Sequence, residues 1–209
     1  MVIKNFFWVF EKALNEKFCN KIINFCLKKQ KQLATTGKEK IKLEKKSKLS
    51  KKDITELKKT RNSNIVWTNE KWIYDAIHPY INTANINAEW NFNWDWSENC
   101  QFTIYNKNQH YHWHTDSFID PYKSEDINFN GKTRKLSVTC FLSDPKDYEG
   151  GELEFDLRNL ANRKSNIVKI KLQKGSIVVF PSFVWHRVKP VTKGTRYSLV
   201  IWSLGYPFK

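Results

Sequence analysis

The chain has 209 residues, a formal net charge of +15, nine Trp, fourteen Phe, seven Gly and six Pro. That length fits one domain with a sizeable core, and the aromatic content excludes disorder over most of it. No stretch approaches the run of about eighteen apolar residues that a membrane helix needs.

The opening stretch, MVIKNFFWVFEKALNEKF, reads as the apolar face of the first elements. Glu11 follows its apolar patch at once and no small-residue cleavage site appears, so a secretion signal is not expected. Residues 11–30 carry Ala13, Leu14, Phe18, Cys19, Ile22, Ile23 and Cys26 at helical spacing, which predicts an amphipathic helix with one apolar stripe. Cys19, Cys26, Cys100 and Cys140 form no CxxC pair and no zinc-ribbon spacing, so buried free thiols in a reducing cytoplasm are expected.

Residues 28–61 carry fourteen Lys/Arg against four Asp/Glu, so about two thirds of the net charge lies there. A run of this kind is expected to be a solvated helix or mobile loop. It could also draw in an acidic partner or a polyanion, but no aromatic is interleaved to stack on bases. NEKWIYDAIHPYINTAN then predicts a second helix stopped near Pro79, with His78 a packing residue at its end. The tryptophans of EWNFNWDW read equally as core or as a substrate platform.

From Cys100 the texture changes. CQFTIYN, KLSVTCFLS, GELEFDL, NIVKIKL, SIVVF, VWHRV and TRYSLVIWSLG are short β-branched and aromatic runs. Turn signals separate them, among them Asp144-Pro145, Gly150-Gly151, Lys174-Gly175 and Lys193-Gly194. Seven or eight strands of this kind predict a mainly β fold with flanking helices (α+β) around a double-stranded β-helix, or jelly-roll, core. Residues 1–99 form an N-terminal helical region, with the lysine-rich segment, packing on a core of residues 100–209; the two make one functional domain. DYEGGELEF lacks the Lys-Ser/Thr of a phosphate loop, and its glycines are expected to turn the chain into a strand at a pocket rim.

QHYHWHTDSFID places three of the five histidines within twelve residues. His114 and Asp116 are two apart, and on a strand such residues face one side. His110 and His112 alternate with His114, so all three could share that face; the first two are expected at the mouth of the site or behind the ligands. HxD alone is a weak signal, but FPSFVWHRV supplies His186 downstream. Two imidazoles and one carboxylate leave three positions open on an ion, which suits non-haem Fe(II). Zinc is the competitor, although a catalytic zinc site usually leaves one position open. Arg196 lies ten beyond His186, on the expected next strand, with Ser198 on the same side. A guanidinium fork among apolar side chains needs an anion, and a dicarboxylate cosubstrate would supply one.

This order of residues resembles the Fe(II)/2-oxoglutarate-dependent dioxygenases, and more narrowly the prolyl 4-hydroxylase-like branch with its bacterial and phage PKHD-type hydroxylases. The segments that carry the likeness are QFTIYNKNQHYHWHTD, RKLSVTCFLSDPKDYEGGELEF and KGSIVVFPSFVWHRVKPVTKGTRYSLVIWSLG, with RNSNIVW fitting more loosely. The resemblance implies that His114, Asp116 and His186 bind Fe(II) and that Arg196 holds the distal carboxylate of 2-oxoglutarate. It also places Tyr105, Ser198 and Trp202 around that cosubstrate, with O2 as the second cosubstrate and ascorbate as an optional accessory. The glycine usual between the tyrosine and HxD is absent from NKNQHY, and Phe141 stands where some animal relatives carry a tyrosine.

The implied activity is hydroxylation of an unactivated C–H bond, foremost that of a prolyl residue in a peptide or protein. A free amino acid or small metabolite is the alternative substrate. Nucleic-acid demethylation is disfavoured, because that branch carries a second arginine after the cosubstrate arginine and none follows Arg196. A barrel that only binds a ligand is disfavoured by the intact ligand set. No membrane partner is expected, and the oligomeric state is not legible from sequence.

Overall fold

The computed structural model describes residues 3–37, 42, 48–158 and 164–208. Much of the lysine-rich run, residues 38–41 and 43–47, lies outside the described residues. Two β-sheets face each other as a jelly-roll. The larger contains, in spatial order, β1 (Trp8–Phe10), β12 (Ile177–Pro181), β8 (Thr133–Phe141), β15 (Arg196–Gly205), β6 (Cys100–Tyr105), β4 (Asn64–Thr68) and β2 (Gln32–Leu33), with β5 (Trp96–Ser97) paired to β15. The smaller runs β11 (Ile167–Ile170), β10 (Leu153–Asp156), β13 (Trp185–Val188), β7 (His110–His114) and β3 (Arg61–Asn62). A separate ribbon pairs β14 (Val191–Gly194) with β9 (Tyr148–Gly150). Among the described residues ten strands follow from Cys100 onward rather than seven or eight, and β14 intervenes between His186 and Arg196.

The period-2 alternation of the large sheet separates a dry face from a chemical one. On β12, Ile177 and Val179 join the cluster under the helices, while Val178 and Phe180 join the cluster between the sheets. On β6, Cys100, Phe102 and Ile104 face the helices, so Gln101, Thr103 and Tyr105 face the other sheet. The same parity on β15 sends Leu199 and Ile201 outward to the helices and Arg196, Ser198 and Trp202 inward.

Helices α1 (Glu16–Leu27) and α3 (Lys71–Asn87) cover the dry face. Helix α1 is shorter than the predicted span: Asn15 caps it by accepting from the Phe18 amide at 2.8 Å, and Lys12 takes a left-handed φ of 51° just before. All four cysteines are free and buried. Helix α3 does not stop at Pro79 but runs through it to Asn87. The reason is tertiary. Proline inside a helix costs about 3 kcal/mol. Burying one isoleucine contributes about 1.5–3 kcal/mol, and Ile73, Ile77 and Ile81 are all fully buried along one stripe that spans the proline. His78 packs as expected, between Tyr74 and Trp94, with Nε2 3.1 Å from Ser97 Oγ. Trp90 and Phe92 belong to the core, whereas Trp96 is exposed.

The described part of the lysine-rich run contains α2 (Lys51–Thr60), started by a capping box between Ser50 and Asp53. Only Leu57 is buried on it, and its lysines are solvated. Its last residue leads straight into β3 beside β7. No helix among the described residues is long and apolar enough to cross a membrane.

Candidate active site

Strands β7 and β13 pair so that His114 lies directly opposite His186. Asp116 is not on the strand. It sits just past the end of β7, where its amide and that of Ser117 both donate to the Ser182 carbonyl at 2.8 and 2.9 Å. This turn carries the carboxylate back over the imidazoles: Nε2 of His114 is 3.7 Å from Asp116 Oδ1, and Nε2 of His186 is 3.5 Å from Oδ2. One ligand atom from each of the three lies within 4.8 Å of the others, so together they could hold a metal ion.

The second ring nitrogens are already committed. Nδ1 of His114 lies 2.8 Å from the His112 carbonyl, and Nδ1 of His186 lies 2.9 Å from the Val184 carbonyl. A carbonyl only accepts, so each Nδ1 carries a hydrogen, and Nε2 is the ring nitrogen that faces the cluster. Burial, then the adjacent His186, pushes His114 well below the ordinary imidazole range. Burial opposes ionisation of Asp116, but the imidazoles, Arg134 and the Ser137 hydroxyl outweigh it and hold the carboxyl at about 2. The site thus presents a carboxylate and two imidazole nitrogens to one point, a donor set suited to Fe(II).

The three histidines of HYHWH do not share a face. Tyr111 pairs with Val188 and His114 with His186, three residues on β7 against two on β13. That bulge inverts the side-chain parity. His112 is exposed, His110 turns toward the Lys59 carbonyl at 3.2 Å, and neither lines the cavity. Tyr111 faces inward instead, its ring stacked on His114 at 3.5 Å. Arg61 covers the other side of Tyr111 at 4.4 Å, and its guanidinium donates to the Thr35 carbonyl and to Gln101 Oε1.

Arg196 is the first residue of β15, paired with Tyr105 on β6. It is 1% exposed. Its guanidinium lies 5.5 Å from the Tyr105 ring and 5.3 Å from the Phe141 ring, and Nη1 donates to Ser198 Oγ at 3.3 Å. Nε and Nη2 have no hydrogen-bond partner among the described residues. A buried cation left with two bare donors is costly unless an anion completes it. A carboxylate matches that fork in geometry and charge. Arg196, Ser198, Tyr105 and Trp202 all line one cavity of about 1070 Å³ with His114, Asp116 and His186. In NKNQHY, which lacks that glycine, Asn108 takes a left-handed φ of 66°.

Sequence reasoning missed a second charged group on this cavity. Arg134 on β8 is clamped by Glu98, with Nη2 at 2.7 Å, and Tyr122 donates to the same carboxylate at 2.9 Å. The guanidinium lies 3.9 Å over the Trp202 ring and donates to the Asp116 carbonyl at 3.4 Å. Nothing in the local sequence marks Glu98 and Arg134 as partners, because 36 residues separate them.

A family model described as the 2OG-Fe(II) oxygenase superfamily matches residues 100–204. A PKHD-type hydroxylase of Pseudoalteromonas atlantica is 34% identical over 102 residues, which is 49% of this chain and 41% of that protein. The match therefore spans about two fifths of that relative's length. Among solved structures, a viral collagen prolyl hydroxylase from Paramecium Bursaria Chlorella virus-1, as its 2OG complex, superimposes with a TM-score of 0.65 at 19% identity over 97% of each chain. A Trichoplax adhaerens prolyl hydroxylase, in complex with a hypoxia inducible factor oxygen degradation domain peptide fragment, gives 0.63 at 16% identity over 96% of this chain and 84% of that one. At such identities these two likenesses speak to the fold.

Proposed function

The chain belongs to the 2OG-Fe(II) oxygenase superfamily, and we propose that it uses Fe(II), 2-oxoglutarate and O2 to hydroxylate a prolyl residue of a peptide or protein. The observation that carries this reading is the buried Arg196 fork, with two donors unpartnered among the described residues, in the same cavity as the His114–Asp116–His186 cluster. Hydrolysis at a zinc site does not require such a fork, whereas binding a dicarboxylate cosubstrate does.

Nε2 of His114, Nε2 of His186 and the Asp116 carboxylate would hold the iron. Arg196, with the Ser198 hydroxyl beside it, would hold the far carboxylate of 2-oxoglutarate. Iron, 2-oxoglutarate and O2 bound there would supply the oxidising power for C–H hydroxylation, with succinate and CO2 as co-products. The chain's own residues orient and enclose. The His112 and Val184 carbonyls keep both ligand tautomers correct. Tyr105 and Phe141, each almost fully buried, wall the guanidinium from water and so strengthen its hold on a carboxylate. Arg134, anchored by Glu98, steadies the turn that carries Asp116.

A peptide is favoured over a free amino acid by the extent of the cavity, which continues past the metal cluster to Trp67 and Phe118, two aromatic side chains with exposed surface at its rim. The relatives' names and the fold neighbours support a prolyl target. The lysines of α2 have no stacking aromatic among them, which weighs against nucleic acid. Four buried free thiols fit a reducing compartment, and we place the protein in the cytoplasm.

Anaerobic titration of the metal-free protein with Fe(II) and then 2-oxoglutarate tests the reading. Chelation of the keto acid should produce a weak visible charge-transfer band, lost in His186→Ala and shifted to much higher cosubstrate in Arg196→Ala. Turnover with proline-containing peptides should then form succinate and add one oxygen to the peptide. If iron binds but no band appears, the oxygenase reading fails. A band with turnover only on free amino acids would move the substrate to the small-molecule alternative.

A further inference from the structure

We infer that Gly151 is a positioning residue for the Arg196 guanidinium, setting cosubstrate affinity by leaving room for the arginine's stem; this rests on the role proposed for Arg196. Gly150 ends β9 and Gly151 follows it, with left-handed φ values of 73° and 65°. The Gly151 amide donates to the Pro190 carbonyl at 3.1 Å, which lays this backbone against the start of β14 and beside the side chain of Arg196. A Cβ built on Gly151 would lie 3.1 Å from Arg196 Cδ and 2.9 Å from Val191 Cγ2. For a Cβ on Gly150 the nearest atoms are backbone, the Pro190 carbonyl oxygen at 2.4 Å and the Thr192 amide at 3.0 Å. The two glycines share a conformation but differ in what they make room for.

Arg196 has nowhere to retreat. Val191 is 0% exposed, and the guanidinium is flanked by the rings of Tyr105 and Phe141. In a close-packed wall a push of a few tenths of an ångström on Cδ is passed outward to the fork. Among the described residues the fork has a single hydrogen bond, to Ser198, to resist that motion. Bidentate pairing with a carboxylate is the interaction most sensitive to such a shift, because both donors must meet both oxygens at once.

The test separates this effect from backbone strain. Gly151→Ala and Gly151→Asn both add the Cβ, but asparagine tolerates the left-handed conformation better than alanine. Gly150→Ala is strained without touching Arg196. Thermal melting of the metal-free proteins reports strain, and calorimetry of each Mn(II)-loaded protein with 2-oxoglutarate reports the fork, with Mn(II) binding alone as the control. The expected result is a rise of about tenfold or more in the 2-oxoglutarate Kd for both Gly151 variants, with Mn(II) affinity within twofold of wild type. Gly151→Asn should lose less melting temperature than Gly151→Ala, and Gly150→Ala should lose stability while keeping its 2-oxoglutarate Kd.

Gly151→Asn binding 2-oxoglutarate like wild type overturns the inference while leaving the oxygenase reading intact. Loss of cosubstrate affinity in Gly150→Ala equal to that in Gly151→Asn also overturns it, because general loosening would then explain both. If Gly151→Ala does not fold, Gly151→Asn alone decides. A wild-type protein that binds Mn(II) but no 2-oxoglutarate removes the oxygenase reading and this inference together.

Discussion

Replacing Arg196 with methionine should move binding and stability in opposite directions. Arg196 is 1% exposed, and its Nε and Nη2 have no partner among the described residues. A charge-assisted hydrogen bond contributes about 1.5–3 kcal/mol, so two made to a carboxylate amount to roughly 3–6 kcal/mol. At about 1.4 kcal/mol per factor of ten, Arg196→Met should weaken 2-oxoglutarate binding by at least about 100-fold. In the ligand-free protein the same arginine is a buried, poorly compensated charge, and a methionine of similar length removes that cost. Ser198 loses its donor, which takes back about 1 kcal/mol. The net expectation is a metal-free protein as stable as wild type or more stable by about 1–3 kcal/mol, a rise in melting temperature of roughly 2–4 °C per kcal/mol. Calorimetry with Mn(II) and 2-oxoglutarate and a thermal melt of the metal-free protein are the two assays. Unchanged cosubstrate affinity, or a melting temperature lowered by more than about 4 °C, would refute the reasoning that the fork is built for an anion.

His186→Ala leaves a two-ligand site, and the Mn(II)-induced rise in melting temperature should disappear; a rise equal to that of wild type would remove His186 from the metal centre. Pro79→Ala restores an amide to the middle of α3 at an exposed position. It should therefore stabilise the protein by about 1–3 kcal/mol, read as a higher urea midpoint at unchanged m-value, and a lower midpoint would show that the proline shapes the helix usefully. His78 and His114 are both held below the ordinary imidazole pKa, chiefly by burial. Their contribution to stability is fully present above about pH 6.5 and is lost as pH falls through that value, because the unfolded chain then binds protons that the folded one refuses. Each can contribute a slope of up to about 1.4 kcal/mol per pH unit. A urea midpoint for the metal-free protein that stays flat from about pH 7 to 5 contradicts this.

What could be read from the sequence is what rests on residue type and regular spacing. The jelly-roll core follows from short β-branched runs separated by turns, and the dry and wet faces of β6, β8 and β15 follow from a period of two. His114, Asp116, His186 and Arg196 stand out because few side chains bind metal or grip a carboxylate, and the structure brings all four to one cavity. Where a local rule met a long-range competitor, only the tertiary structure decided. Pro79 signals a helix end, yet the burial of Ile73, Ile77 and Ile81 carries α3 past it. Alternation in HYHWH points His110 and His112 toward the site, yet one extra residue opposite β13 turns Tyr111 inward instead. Glu98 meets Arg134, and Arg61 covers Tyr111, across distances in sequence that no local pattern records. Periodicity sees one strand at a time, whereas bulges, buried ion pairs and stacked rings are properties of the surfaces that two or more strands share.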